Sequence, residues 1–285
     1  MKVLNGSELA SFIKERQAHQ VRSLKQKPKL LIIRDSNNPV IMKYVNLKIK
    51  YGEDIGINVV DICANVSSRR SGAWQGEVER AVPVATGDGD ALREEIVRAN
   101  GDPSVTGIII QLPLTDKSKT EELCNLIAPE KDIDGLGTHA KYDSATATAI
   151  LWLLAGYDVN LNNQKIAIVG RGKLVGAPLF KMLTNSDYQV ELFHRGSDLT
   201  KLKQFDIIIT ATGVPGLISD DMIKPGAVIV DAGTASEDGI LKGDVANDVR
   251  DRQDLTAITP IKGGVGPMTI ASLYDHLLQA TTATL

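Results

Sequence analysis

The chain has 285 residues, of which 43% are hydrophobic and 24% charged, with a net charge of −3, two cysteines and four histidines. At roughly 150 residues per domain this is about two domains, large enough to bury cores without disulfide staples. The balance excludes a disordered tail, a coiled coil and a disulfide scaffold, and the lack of a basic excess argues against a nucleic-acid partner. In chain order, Ser7 caps a helix running to about Lys25, and Lys29–Arg34 follows as a strand. A helical stretch carries Tyr44-Val45-Asn46-Leu47-Lys48, and Asn58–Cys63 is the next strand. A helix opens at Asp90, a strand spans Gly107–Leu112, and a further helix begins near Lys119. The loop Lys131-Asp132-Ile133-Asp134-Gly135 closes this first α/β set.

A helix over Thr146–Leu154 leads into a second set of strands at Lys165–Val169, Gln189–Phe193, Asp206–Thr210, Ala227–Asp231 and Ala257–Thr259. Several strands are unbroken apolar runs, such as Leu30-Leu31-Ile32-Ile33 and Ile207-Ile208-Ile209, which suits strands covered on both faces of a parallel sheet. The alternation of strands and helices is that of an α/β protein. The last helix, Met268 to about Gln279, follows a Gly/Pro-rich stretch, and its periodicity leaves open which domain it packs on. Cys63 and Cys124 sit in apolar runs without C-x-x-C spacing and read as buried, reduced thiols. The longest apolar stretch, Ala145–Gly156, is far short of the roughly 20 residues a membrane helix needs. With no secretory pattern in the first residues, the expectation is a soluble cytoplasmic protein without a membrane partner.

Two motifs carry chemistry. Lys165–Val169 runs into Gly170-Arg171-Gly172-Lys173-Leu174-Val175-Gly176-Ala177-Pro178 and then a helix over Leu179–Leu183. Strand, glycine turn and helix form a pyrophosphate cradle, because glycines let the backbone approach and the helix start offers unpaired N–H groups. The competing reading is a plain tight turn. An NAD site usually has an acidic residue at the end of the second strand, but here that strand ends in His194-Arg195. Arg171 and Arg195 are suited to a 2′-phosphate, which favours NADP over NAD unless both are simply solvated surface charges.

The second motif is a lysine constellation. Tyr44 and Lys48, spaced i, i+4, share one helix face, as on many ordinary amphipathic helices. Gln111 follows an apolar strand at its C-terminal end, where ligands of open α/β sheets collect, and Asp132 and Asp134 flank a turn. Lys48, Gln111 and an aspartate make a candidate proton-transfer site if burial brings the lysine into range. For the aspartates, a loop turn or helix cap is the alternative. The isolated histidines His19, His139, His194 and His276 predict no metal site.

Taken together, these residues resemble the bifunctional methylenetetrahydrofolate dehydrogenase/methenyltetrahydrofolate cyclohydrolase family almost end to end. The resemblance rests on Asn38-Pro39 with Tyr44-x-x-x-Lys48, on Gln111-Leu112-Pro113-Leu114, and on Lys131 to Gly135. It continues through Gly170-Arg171 with Val175-Gly176-Ala177-Pro178, then Gly226 to Gly233, Gly243-Asp244-Val245, and Thr259 to Thr269. It implies an N-terminal α/β catalytic domain (1–136 with 265–285) holding folate, and a Rossmann-like NADP-binding domain (137–264). The C-terminal helix would return to the first domain. It further implies that Lys48, Gln111 and Tyr44 serve catalysis, and that Tyr44, Asp134, Gly264 and Pro267 contact tetrahydrofolate. Gly170, Arg171, Gly172, Val175, Gly176, Arg195 and Thr212 would contact the cofactor, and the protein would be a homodimer supplying one-carbon units for purine synthesis.

The sequence departs from the family pattern at Ile41, Gly172, Arg195, Lys262 and Ala145-Thr146-Ala147, and in a shortened 136–143 linker. These departures keep open a dehydrogenase with weak cyclohydrolase activity. A non-catalytic dinucleotide- or folate-binding module is the further alternative, which the retained Lys48 and Gln111 disfavour.

Overall fold

A computed structural model describes residues 1–64, 89–233, 235–237 and 240–283. The chain opens with a short strand β1 (Lys2–Val3) and helix α1 (Gly6–Ser23). There follow β2 (Lys29–Arg34), α2 (Pro39–Ile55), β3 (Asn58–Cys63), α3 (Gly89–Gly101), β4 (Gly107–Ile110) and α4 (Thr120–Leu126). The next elements are α5 (Ala145–Gly156), β5 (Ile166–Val169), α6 (Gly176–Asn185), β6 (Val190–Phe193), β7 (Ile207–Thr210) and β8 (Val228–Asp231). The hairpin β9 (Ala235–Glu237) and β10 (Ile240–Lys242), the turn α7 (Asn247–Arg250), β11 (Ala257–Ile258) and the long helix α8 (Val265–Ala283) complete the described chain.

These elements form two compact units, one comprising Lys14–Asp143 and the chain from Leu273 on, the other Met1–Ile13 with Ser144–Ser272. In the first, a parallel sheet of order β3-β2-β4 is extended by a bridge between Ile108 and Asp132. The run Leu30 to Ile33 is fully buried, as its lack of polar alternation predicts. α3 and α4 cover one face with Leu92, Ile96, Ala99, Leu123 and Cys124. Asn38 accepts a bond from Val40 N (2.9 Å) with Pro39 at the first helical position, so α2 starts where proline's missing N–H costs nothing.

The second unit is a parallel sheet of order β1-β11-β8-β7-β5-β6. The chain leaves β5 for β6 on one side and returns to β7 on the other. This makes the carboxyl ends of β5 and β7 a topological switch point, where doubly wound sheets bind ligands. Phe193 and Phe205 meet edge-to-face in the core (5.4 Å), beside Leu202, Ile208, Ile229 and Val249.

The eight strands expected from the sequence form, β2 and β3 with the expected ends and the other six with an end moved by one or two residues; β1, β9 and β10 fall outside those expectations. The division of the chain also differs from the expected one. Residues 1–13 group with the second unit because Lys2 and Leu4 donate to Thr256 and Ile258 carbonyls (both 2.9 Å), which adds β1 in parallel to β11. The later boundary falls after Asp143 rather than 136, and α8 passes into the first unit only after Ser272. Cys63 and Cys124 are buried and form no disulfide. Among the described residues no helix is long and apolar enough to cross a membrane.

The loops at the ends of β7 and β8 hang on two buried carboxylates. Asp231 accepts from Gly233 N, Asp244 N and Val245 N (each 3.1 Å) and pairs with Arg250 at 2.5 Å, with only 1% of its side chain exposed. Arg250 also donates to the Thr259 carbonyl (2.8 Å). Removing one partner of a buried pair leaves an uncompensated charge, a loss of about 3 kcal/mol. Arg250→Met is therefore expected to lower the urea midpoint of this unit strongly, and adding Asp231→Asn to recover part of the loss, both read by urea unfolding.

Candidate active site

In the first unit, the predicted lysine constellation comes together. Lys48, half-buried on α2, donates from Nζ to Gln111 Oε1 at 2.7 Å. Gln111 lies just past the end of β4 and is 6% exposed. Its Nε2 donates to the Leu112 carbonyl (2.8 Å), which orients the amide so that its oxygen faces the lysine. Burial pushes the Lys48 pKa below its ordinary value, and the Asp134 carboxylate partly restores it. Asp134 is pushed up to about 6 by burial, with Lys48 opposing the shift and Asp132 adding to it. The three groups thus form one electrostatic cluster in a setting that disfavours charge. Tyr44, also half-buried, lies one turn before Lys48 on α2. Ile41 packs inward at 8% exposure and is a core residue of this helix.

The two aspartates of the loop, equivalent in sequence, have separate jobs. Asp132 is 1% exposed and accepts from the backbone N–H groups of Gly135 (3.0 Å), Leu136 (3.1 Å) and Gly137 (2.8 Å). It is the turn-former that the alternative reading described, and it leaves Asp134 to face Lys48.

In the second unit, β5 and β6 pair with Val169 opposite Phe193, and Gly170 N donates to the Phe193 carbonyl (2.8 Å). That register sets the Gly170-Arg171 turn beside His194-Arg195. Gly170 has φ +108°, and a side chain there would lie 2.6 Å from the Ala211 carbonyl. At Gly176, the first residue of α6, a Cβ would run into the Gly170 carbonyl. These close approaches are why both positions require glycine. Gly172 instead faces open space. Val175 precedes α6 without a side-chain cap; Ala177 N donates to the Gly172 carbonyl (3.1 Å) and Pro178 has no N–H, so at the helix start Gly176 N–H is the donor left for an anion.

Arg171 and Arg195 are both exposed, and among the described residues neither forms an ion pair. Thr212 follows β7 at the switch point, and its N–H donates to Asp244 Oδ2 (2.6 Å). Asp244, fully buried, also accepts from Val214 N (3.0 Å). A glycine cradle, a helix start without a side-chain cap and two guanidinium groups that form no ion pair among the described residues fit a dinucleotide phosphate. Gly264 is buried and Pro267 half-buried, both in this second unit; the expected division places Gly264 there and Pro267 in the first domain. Among the described residues no group of His, Cys, Asp and Glu is placed to hold a metal ion. The supporting residues Asp231, Asp244 and Arg250 were not singled out from the sequence; their only signal was the Asp231-Ala232-Gly233 and Gly243-Asp244-Val245 spacing.

Comparison with known proteins agrees with this geometry. Residues 4–134 match the tetrahydrofolate dehydrogenase/cyclohydrolase catalytic domain, and residues 144–285 match the NAD(P)-binding domain of the same family. The bifunctional protein FolD of Macrococcus caseolyticus is 35% identical over 98% of this chain and 97% of its own length. The bifunctional FolD methylenetetrahydrofolate dehydrogenase/cyclohydrolase of Campylobacter jejuni is similar in structure, with a TM-score of 0.86, 30% identity and complete coverage of both chains. The Trypanosoma brucei enzyme, solved with NADP cofactor and inhibitor, has a TM-score of 0.83 and 27% identity over 99% of this chain and 97% of its own. The chain belongs to the tetrahydrofolate dehydrogenase/cyclohydrolase family.

Proposed function

We propose that the protein oxidises 5,10-methylenetetrahydrofolate with NADP⁺ and hydrolyses the methenyl product to 10-formyltetrahydrofolate. The observation that carries this reading is the Lys48–Gln111 hydrogen bond beside Asp134, because binding alone needs no buried proton carrier. When bound, the nicotinamide supplies a hydride acceptor; Gly170, Arg171, Gly172, Val175, Gly176, Arg195 and Thr212 would hold the cofactor. In the oxidation the protein's part is to orient the folate. Tyr44 would stack against its aminobenzoate ring and Asp134 would accept hydrogen bonds from the pterin, with Gly264 and Pro267 as further contacts. In the hydrolysis, water adds to the methenyl carbon and gives up one proton to solvent, leaving a hydroxyl; the bond from that carbon to N5 then breaks as the hydroxyl loses its proton to become the formyl C=O and N5 takes up a proton. Lys48 would carry that proton, its burial making the amine accessible at lower pH than for a surface lysine, while Gln111 holds Nζ in place.

The 2′-phosphate reading of Arg171 and Arg195 supports NADP over NAD, since a guanidinium fork matches a phosphate, the residues directly after β6 are His194 and Arg195, and the next carboxylate, Asp198, is bonded to Thr200. The near-neutral charge supports a small-molecule substrate rather than a nucleic acid. A homodimer acting in the cytoplasm, without a membrane partner, completes the proposal on the family resemblance.

Three results check the reading. Lys48→Met is expected to lose methenyl hydrolysis by at least about 100-fold while NADP affinity stays within about twofold of the native protein; unchanged hydrolysis would remove Lys48 from the mechanism. As pH falls through about 6, Asp134 takes up a proton and ceases to be a full acceptor, so the KM for folate should rise on that side, and Asp134→Asn should lack this rise. Arg195→Ala should weaken NADP about tenfold and leave NAD unaffected, measured by fluorescence titration with each cofactor.

A further inference from the structure

The last helix reaches both halves of the lysine cluster. Tyr274 on α8 is fully buried, and its hydroxyl donates to the backbone carbonyl of Lys48 at 2.7 Å. Its ring stacks on Tyr51 (4.9 Å between centroids), and Tyr51 in turn donates to Gln17 Oε1 of α1 at 2.8 Å. Two residues further along, His276 is 5% exposed, and its Nδ1 lies 2.8 Å from the carbonyl of Ile133, the residue immediately before Asp134. A carbonyl only accepts, so Nδ1 carries the proton. Tyr142 stacks on the imidazole (5.1 Å, 17° between planes) and fixes the ring plane. Residues two apart on a helix point about 200° from each other, so α8 extends one polar group to α2 and another to the Asp134 loop.

The contact with α2 is made at a cost. Gly52 sits inside α2, where glycine is worth roughly 1 kcal/mol less than alanine. A Cβ there would meet both the Tyr274 hydroxyl and Val59 Cγ2. The helix gives up that propensity so that the tyrosine can lie against its backbone.

We infer that Tyr274 and His276 are positioning residues that hold Lys48 and Asp134 at their working separation, one through the backbone of each partner. The inference rests on the role given to Lys48 above, but the arrangement can be tested apart from it. Tyr274→Phe deletes a single oxygen and keeps the ring stack. His276→Leu removes the donor, and His276→Asn returns an N–H near the same place.

Tyr274→Phe and His276→Leu should each lower kcat for methenyl hydrolysis about tenfold or more without moving the KM for NADP, and His276→Asn should recover most of that loss. Independently of turnover, NMR titration of the Lys48 side chain should move down by about half a pH unit in His276→Leu, because Asp134 withdraws, and move likewise in Tyr274→Phe. If the native protein proves inactive, the functional reading fails, and the Lys48 titration alone decides the positioning. A Lys48 titration unchanged in both variants would overturn the inference, as would an asparagine no better than leucine.

Discussion

A lysine cation withdrawn from water must be held by oxygen, and the first unit is organised around that requirement. Lys48 finds the Gln111 carbonyl at 2.7 Å and the Asp134 carboxylate as its charge partner. Each arrives from a different element: a helix, the end of a strand, and a loop bridged to that strand's far end. A one-residue slip in β4 would turn Gln111 to the opposite face. The burial of β2 and β4 on both faces therefore fixes the placement of Gln111 as well as contributing to stability. The same burial that perturbs Lys48 and Asp134 makes the pair costly to keep unless its polar groups are bonded.

The second unit meets a different constraint, the close approach of backbone to backbone at Gly170 and Gly176. The anion site proposed for it is local: a turn, a helix start and two exposed arginines. Such a site leaves no mark on a net charge of −3. The buried Asp231–Arg250 pair and Asp244 brace the loops beside it.

Much of this was legible in the sequence, and the reason is local. Apolar runs without alternation report strands covered on both faces, and glycines after such a run report a phosphate turn. Lys48 and Gln111 were legible because ordered motifs surround them. What escaped depended on distant partners. β1 is two exposed residues whose pairing with β11 lies some 250 positions away, so nothing near it announces a strand. Asp132 and Asp134 look alike in the sequence, and only the fold shows that one caps a turn while the other faces the lysine. Tyr274 and His276 sit on a helix whose own pattern left its packing open, and their roles exist only through Lys48 and Ile133.

A single chain that carries both reactions must pass every folate it oxidises on to hydrolysis. The most direct measurement is stoichiometric: the native protein is given a limiting amount of 5,10-methylenetetrahydrofolate with excess NADP⁺, and the products are quantified at completion. One reduced cofactor and one 10-formyltetrahydrofolate for each folate consumed, with methenyl never exceeding a transient, is the predicted result. Reduced cofactor accompanied by methenyl that decays only at its spontaneous rate would contradict it, and so would no reduction at all.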